Sequence, residues 1–195
     1  MVPEGALMAI RFVAIGVSLG GTNALRALLP ALPENFPATL AVVFHRGKDS
    51  DESLIQFLQK NCAIKVAEAQ DKTPILSGHL YVAPADYHLL VEEDHFALST
   101  EGAVSFARPS ADVLFESAAE AYGKDAAGVI LTGAGRDGAQ GIVAIKRAGG
   151  LTVVQAPETA ECPDMPNAAL ATDMVDEVLA LERIAPFLAS RCTFI

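Results

Sequence analysis

Apolar residues in this chain fall in short unbroken runs, separated by stretches in which they return every three or four positions. Residues 10–17, 39–44, 128–132 and 151–155 have almost no charged interruption, the pattern of strands buried on both faces of a parallel sheet. Between them the spacing is helical. Residues 22–29 set Ala24, Leu25, Leu28 and Leu29 on one face, ended by Pro30 and Pro33. Asp49 and Glu52 have capping-box spacing ahead of Leu54, Ile55 and Leu58. Ser110 is placed to cap a helix over 111–122, with Val113, Leu114, Ala118 and Ala121 as its expected buried side. Residues 141–148 predict another helix that stops at Gly149-Gly150. A strand over 174–178 and a helix over 181–189, with a break expected at Pro186, close the alternation.

Residues 64–99 depart from this rhythm. Stretches 64–69, 79–83, 87–91 and 96–100 read as short strands joined by turns, partly antiparallel. They predict an insertion or an extension of the sheet, not a second domain. The linker-like piece 156–166 leaves a strand's carboxyl end and is positioned to line a site. The expected architecture is therefore one α/β domain over residues 10–190. It has a doubly wound, mostly parallel sheet, helices on both faces and a small antiparallel extension.

Composition narrows the class. At 195 residues and 51% hydrophobic content, the chain can bury a core without staples. No apolar run approaches the ~18 residues of a membrane span, and Met1-Val2-Pro3-Glu4-Gly5 lacks the basic start of a secretory signal. Cys62, Cys162 and Cys192 are widely separated, with no C-x-x-C pair, so neither a disulfide framework nor a structural zinc site is expected. A cytoplasmic protein without membrane insertion is predicted. The net charge of −10 argues against nucleic acid as a partner. Arg46, Lys48 and Arg136 nonetheless cluster near the candidate site. With a screening length of ~8 Å, local charges of this kind outweigh distant ones.

The candidate chemistry lies at strand ends. Gly16-Val17-Ser18-Leu19-Gly20 matches G-x-S-x-G directly after an apolar run. Such a turn exposes the serine oxygen beside the first N–H groups of a helix, here those of Leu19 and Gly20. A plain glycine turn with Ser18 as a helix cap satisfies the same pattern. His45 closes the 39–44 run, whereas His79, His88 and His95 flank the short irregular strands. Asp137 sits in the turn after 128–132. Ligand sites of open parallel sheets form outside the strands' carboxyl ends, so Ser18, His45 and Asp137 are expected to converge. A rival reading takes Gly133-Ala134-Gly135-Arg136-Asp137-Gly138 as G-x-G-x-x-G, with Glu158 twenty residues beyond Gly138, the spacing of a dinucleotide-dependent oxidoreductase. Against it, Glu158 follows Ala156-Pro157 rather than ending a strand, and a carboxylate at 137 repels a pyrophosphate. The order Ser, His, Asp also departs from that of α/β-hydrolases.

Together, the blocks Ile15 to Thr22, His45, Arg108-Pro109-Ser110-Ala111-Asp112-Val113-Leu114-Phe115, Gly128 to Ala139 and Met165-Pro166 resemble the catalytic domain of the chemotaxis protein-glutamate methylesterases, the CheB type. The resemblance runs from about Phe12 to Phe187. It implies hydrolysis of glutamate γ-methyl esters on the cytoplasmic helices of methylated chemoreceptors, releasing methanol, with deamidation of receptor glutamines as a second activity. Neither a metal nor an organic cofactor is implied. By position, Ser18 matches the nucleophile, His45 the general base and Asp137 the orienting acid. Leu19 and Gly20 supply backbone oxyanion donors, and Arg46, Arg136 and Met165 are expected at the substrate. The chain departs from the family pattern at Leu19, usually Thr, at Ala134, usually Met, and over Phe44 to Lys48, usually Gln-His-Met-Pro around the base. That last departure keeps open a non-catalytic chemosensory binding module. The family's receiver domain is not part of this sequence, so receiver phosphorylation is not expected to regulate it from within, and no regulatory partner is identified.

Overall fold

A computed structural model describes residues 10–45 and 51–192, with residues 51–53 described by their backbone alone. Seven strands form one sheet: β1 (Phe12–Val17), β2 (Thr39–Phe44), β3 (Lys65–Glu68), β4 (His79–Val82), β7 (Ala126–Ile130), β8 (Leu151–Gln155) and β9 (Glu177–Leu179). Their order is β3-β4-β2-β1-β7-β8-β9, and every neighbouring pair is parallel. A separate antiparallel hairpin joins β5 (His88–Val91) to β6 (Phe96–Ser99).

The unbroken apolar runs follow from the layering. Every residue of β1, β7 and β8 is buried, because successive side chains point to opposite faces and both are covered. On one face, α1 (Gly21–Leu28), α2 (Asp51–Lys60) and α6 (Leu181–Arg191) bring Leu25, Leu58 and Leu188 against Val13, Ile15, Val42 and Val129. On the other, α3 (Ala111–Tyr122), α4 (Ala139–Arg147) and α5 (Asp164–Leu170), with the hairpin, pack Leu114, Phe115, Ile142, Met165 and Phe96 on Phe12, Ala14, Val43 and Ile130. Gly141 lets α3 and α4 meet closely, since a Cβ there would lie 2.5 Å from Phe115 Cβ.

The order of strands places the working edge. From β1 the chain moves outward to β2, β3 and β4, then returns to β7 on the other side of β1. The connections leave β1 in opposite directions at this point, which opens a crevice at the carboxyl ends of β2, β1 and β7.

The short strands divide as the partly antiparallel reading expected: β3 and β4 extend the main sheet in parallel, and β5 and β6 form the antiparallel pair. Other expectations are corrected. The linker-like stretch holds a short 3-10 turn, Pro157–Thr159, and the start of α5. Helix α6 runs through Pro186 without a break, because Ile184, Ala185 and Leu188 are all buried in the first core layer. Strand β9 begins later than the 174–178 pattern suggested. On α3, Ala121 is exposed and Val113 half-buried, whereas Asp112, Phe115 and Ala119 are buried. The Asp49–Glu52 capping box lies outside the residues described with side chains.

Candidate active site

Ser18 follows the last residue of β1. Its N–H donates to Thr132 O at 3.0 Å, tying this turn to the one after β7, and its carbonyl accepts from Gly21 N–H at 2.9 Å. The left-handed conformation needed to enter α1 falls on Gly20, with φ 82°, so Ser18 itself is spared the strain. Gly20 also passes under Glu161, whose Cβ would lie 2.8 Å from any Cβ added there. The Ser18 hydroxyl makes no hydrogen bond among the described residues. Nor do the backbone N–H groups of Leu19 and Gly20. All three line an open cleft of about 450 Å³, together with Gly21, Phe44 and His45.

His45 enters this cleft from the end of β2, its N–H donating to Val17 O at 3.1 Å. The ring is one-fifth exposed, and its Nε2 lies 2.7 Å from Asp137 Oδ2. Asp137 is almost wholly buried, at 3% exposure. Its carboxylate also accepts from Ser110 Oγ at 2.6 Å, Ala111 N–H at 2.6 Å and Asp112 N–H at 3.1 Å. Burial pushes this carboxyl up, but the hydrogen bonds from His45, Ser110, Ala111 and Asp112 outweigh it and hold it below the usual carboxylate range. Two of those donors are free N–H groups at the start of α3, where helix geometry favours a negative charge. Asp137 is therefore the cap of α3, supplied from another part of the chain.

This displaces the cap expected from sequence. Ser110 stands at the N-cap position of α3 but makes no side-chain cap bond, because its hydroxyl is turned to Asp137. Its own N–H donates to Nδ1 of His88, a buried ring whose Nε2 bonds Gly102 O at 3.0 Å. Asp112 returns the favour across the helix pair, accepting Gly141 N–H from the first turn of α4 at 2.9 Å and Ser105 Oγ at 3.1 Å. Burial, and secondarily the neighbouring Asp137 charge, raise the Asp112 carboxyl above its ordinary value. The start of α3 is thus closed by Asp137, from the turn that leads into α4, and the start of α4 by Asp112, from the first turn of α3.

The remaining predicted residues divide. Arg136 is exposed beside Asp137, with no side-chain partner among the described residues. Arg46 and Lys48 lie outside the described residues. Met165 is 1% exposed on α5; it fills the space left by Gly133, where a Cβ would meet its Sδ at 2.2 Å and Ser18 Cβ at 2.8 Å. It backs the cleft wall and does not line the surface, which corrects its reading as a substrate contact. The 156–166 stretch does reach the site, but through Glu161, which accepts from Asn23 Nδ2 at 2.6 Å at the cleft rim. Sequence reasoning missed Glu161, His88, Asp112 and the role of Ser110. The one signal available for the last two was a polar pair two residues apart at the head of the helix, ahead of the apolar Val113, Leu114 and Phe115. Among the described residues, no group of three or more His, Cys, Asp or Glu is placed to hold a metal.

The same geometry removes the dinucleotide reading. In the Gly133–Gly138 turn the Asp137 carboxylate already serves His45 and α3, Met165 and Ser18 crowd Gly133, and Glu158 lies in the 3-10 turn after β8. The CheB methylesterase family model matches residues 13–188. The chain belongs to the CheB methylesterase family. A Leptospira interrogans protein is 51% identical over 174 residues, covering 89% of this chain and 90% of that protein. A Rhizobium johnstonii protein named protein-glutamate methylesterase/protein-glutamine glutaminase 2 is 40% identical over 177 residues, covering 89% of this chain and 48% of its own length. The chain spans about half of that longer relative. The Thermotoga maritima CheB methylesterase catalytic domain superposes with a TM-score of 0.90 at 33% identity, covering 93% of this chain and 98% of that one. Family membership gives no support to either the oxidoreductase or the non-catalytic alternative. No helix among the described residues is long and apolar enough to cross a membrane.

Proposed function

We propose that Ser18, His45 and Asp137 form a nucleophilic relay that hydrolyses glutamate γ-methyl esters on the cytoplasmic helices of methylated chemoreceptors. The observation that carries the reading is the 2.7 Å His45–Asp137 bond beside an unpartnered Ser18 hydroxyl in one cleft. Asp137 is held ionised, so it accepts a hydrogen bond from His45 Nε2–H and fixes the tautomer in which Nδ1 carries a lone pair. Nδ1 takes the Ser18 proton as Oγ attacks the ester carbonyl carbon. The resulting oxyanion is met by the N–H groups of Leu19 and Gly20, free at the start of α1. Collapse breaks the ester C–O bond, and the imidazolium returns its proton to the leaving methoxide as methanol. Water, deprotonated by the same nitrogen, then attacks the acyl-serine; the acyl C–Oγ bond breaks, the imidazolium returns its proton to Ser18 Oγ, and the glutamate carboxylate is released. With glutamine as substrate, the same steps expel ammonia, in keeping with the glutaminase half of the relative's name.

Ser18→Ala tests this directly. Methanol release from a methylated receptor fragment is expected to fall roughly 10⁶-fold, the loss typical of serine triads. Release near the wild-type rate would remove Ser18 from the mechanism.

A further inference from the structure

The loop between β6 and α3 carries an aromatic ring that folding does not use. Phe106 is 101% exposed, the highest value among the exposed large apolar residues of the described chain. Val104 and Ala107 exchange both backbone hydrogen bonds, at 3.1 and 2.8 Å, and close a two-residue turn of Ser105 and Phe106. Both residues have positive φ, 49° and 64°. Turns of this kind favour Asn-Gly, and a bulky side chain seldom adopts that backbone conformation. The ring therefore gains no burial and sits on an unfavourable backbone.

Its mount is firmly held. Ser105 Oγ donates to Asp112 at 3.1 Å, Arg108 donates to the carbonyls of Thr100 and Glu101, both at 3.0 Å, and His88 bonds Gly102 O. Through Asp112 the turn is fastened to the same helix start that holds Asp137. The loop thus belongs to the carboxyl edge of the sheet, where the cleft opens. Leu19, 64% exposed, lies in the cleft itself.

We infer that Phe106 is a docking anchor for the protein that carries the ester, seated between side chains on its helical surface. The inference rests on the esterase reading. A glutamate side chain is short, so for its ester carbon to reach Ser18 the helix bearing it must press against the loops around the cleft. An apolar ring carried on a held backbone turn spares the loop's own ordering cost on contact and desolvates fully when covered.

The experiment separates this inference from the reading beneath it. Binding of a methylated chemoreceptor cytoplasmic fragment is measured by calorimetry to Ser18→Ala and to Ser18→Ala/Phe106→Ala, and hydrolysis of a small N-acetylated glutamate γ-methyl ester is followed with wild type and Phe106→Ala. Loss of the ring is expected to weaken fragment binding about tenfold or more, the scale of burying one phenyl side chain, and to leave the small ester's kcat/KM unchanged. Unchanged fragment binding, or no binding by Ser18→Ala, overturns the proposal. So does an equal loss on the small ester, since the ring would then act through the site's own structure. A shift from dimer to monomer on Phe106→Ala in sedimentation also overturns it, because the ring would then cover a second copy of the chain. Failure of wild type on the small ester, with fragment binding still dependent on the ring, sinks the esterase reading and leaves the anchor standing.

Discussion

Ser110→Ala removes one hydroxyl hydrogen bond from a carboxylate that is almost sealed from solvent. The bond is 2.6 Å long, Ser110 is fully buried, and Asp137 is 3% exposed, so water is not at hand to replace the lost donor. A hydrogen bond to a charged group contributes about 1.5–3 kcal/mol. For a protein of 195 residues, a loss near 2 kcal/mol lowers Tm by roughly 4–8 °C. The effect carries a pH signature. In the fold the Asp137 carboxyl is held below its ordinary value, so the stability it contributes is complete above the unfolded value of about 3.9 and disappears as pH falls through the folded one. Urea denaturation at falling pH is therefore expected to show a constant gap between wild type and Ser110→Ala while Asp137 stays ionised, and convergence as the pH drops below about 3.9 and through the folded value. A gap that stays the same size after Asp137 has taken up its proton would show that the hydroxyl supports packing, not the charge. No gap at neutral pH would refute the argument outright.

Two other perturbations probe the same neighbourhood. Asp112→Asn retains an acceptor for Gly141 N–H but removes a charge whose carboxyl is raised by burial and by Asp137. A raised carboxyl opposes folding at neutral pH and ceases to do so on protonation, so the variant is expected to melt above wild type at pH 7 and to lose that advantage on acidification. A lower melting temperature at pH 7 would show that Ser105 needs the charge. Gly133→Ala forces a methyl to within 2.2 Å of Met165 Sδ and 2.8 Å of Ser18 Cβ. Overpacking of this kind costs about 1–3 kcal/mol, and displacement of Ser18 should lower esterase kcat more than KM rises. An unaffected kcat in a destabilised protein would show that Met165 yields and Ser18 does not.

The parts of the fold legible in the sequence were those where one requirement dominates. Residues 12–17, 39–44 and 151–155 are apolar but for the buried Thr39, Thr152 and Gln155, because helices cover both faces, and α3 showed both its ends. The meeting of His45 and Asp137 followed from strand order, since both stand at carboxyl ends beside β1. What the sequence concealed depended on long-range partners. Ser110 has the residue type and position of a cap, and only the arrival of Asp137 from 27 residues away diverts its hydroxyl. Helix α5 was hidden by Pro163 and Pro166, yet a proline in a helix's first turn removes no intrahelical bond. Strands β3 and β4 are four residues each, too short for their pattern to distinguish parallel from antiparallel pairing.

The exchange of carboxylates between α3 and α4 has a dynamic consequence. Neither helix can keep its first turn satisfied once the other withdraws, so the pair should open and close as one cooperative block rather than fray separately. His45 stands on a different strand, outside that block, and relies on it for its acid. A fluctuation that frees either helix end therefore switches the imidazole off without moving it, making turnover a readout of how tightly this half of the molecule is shut.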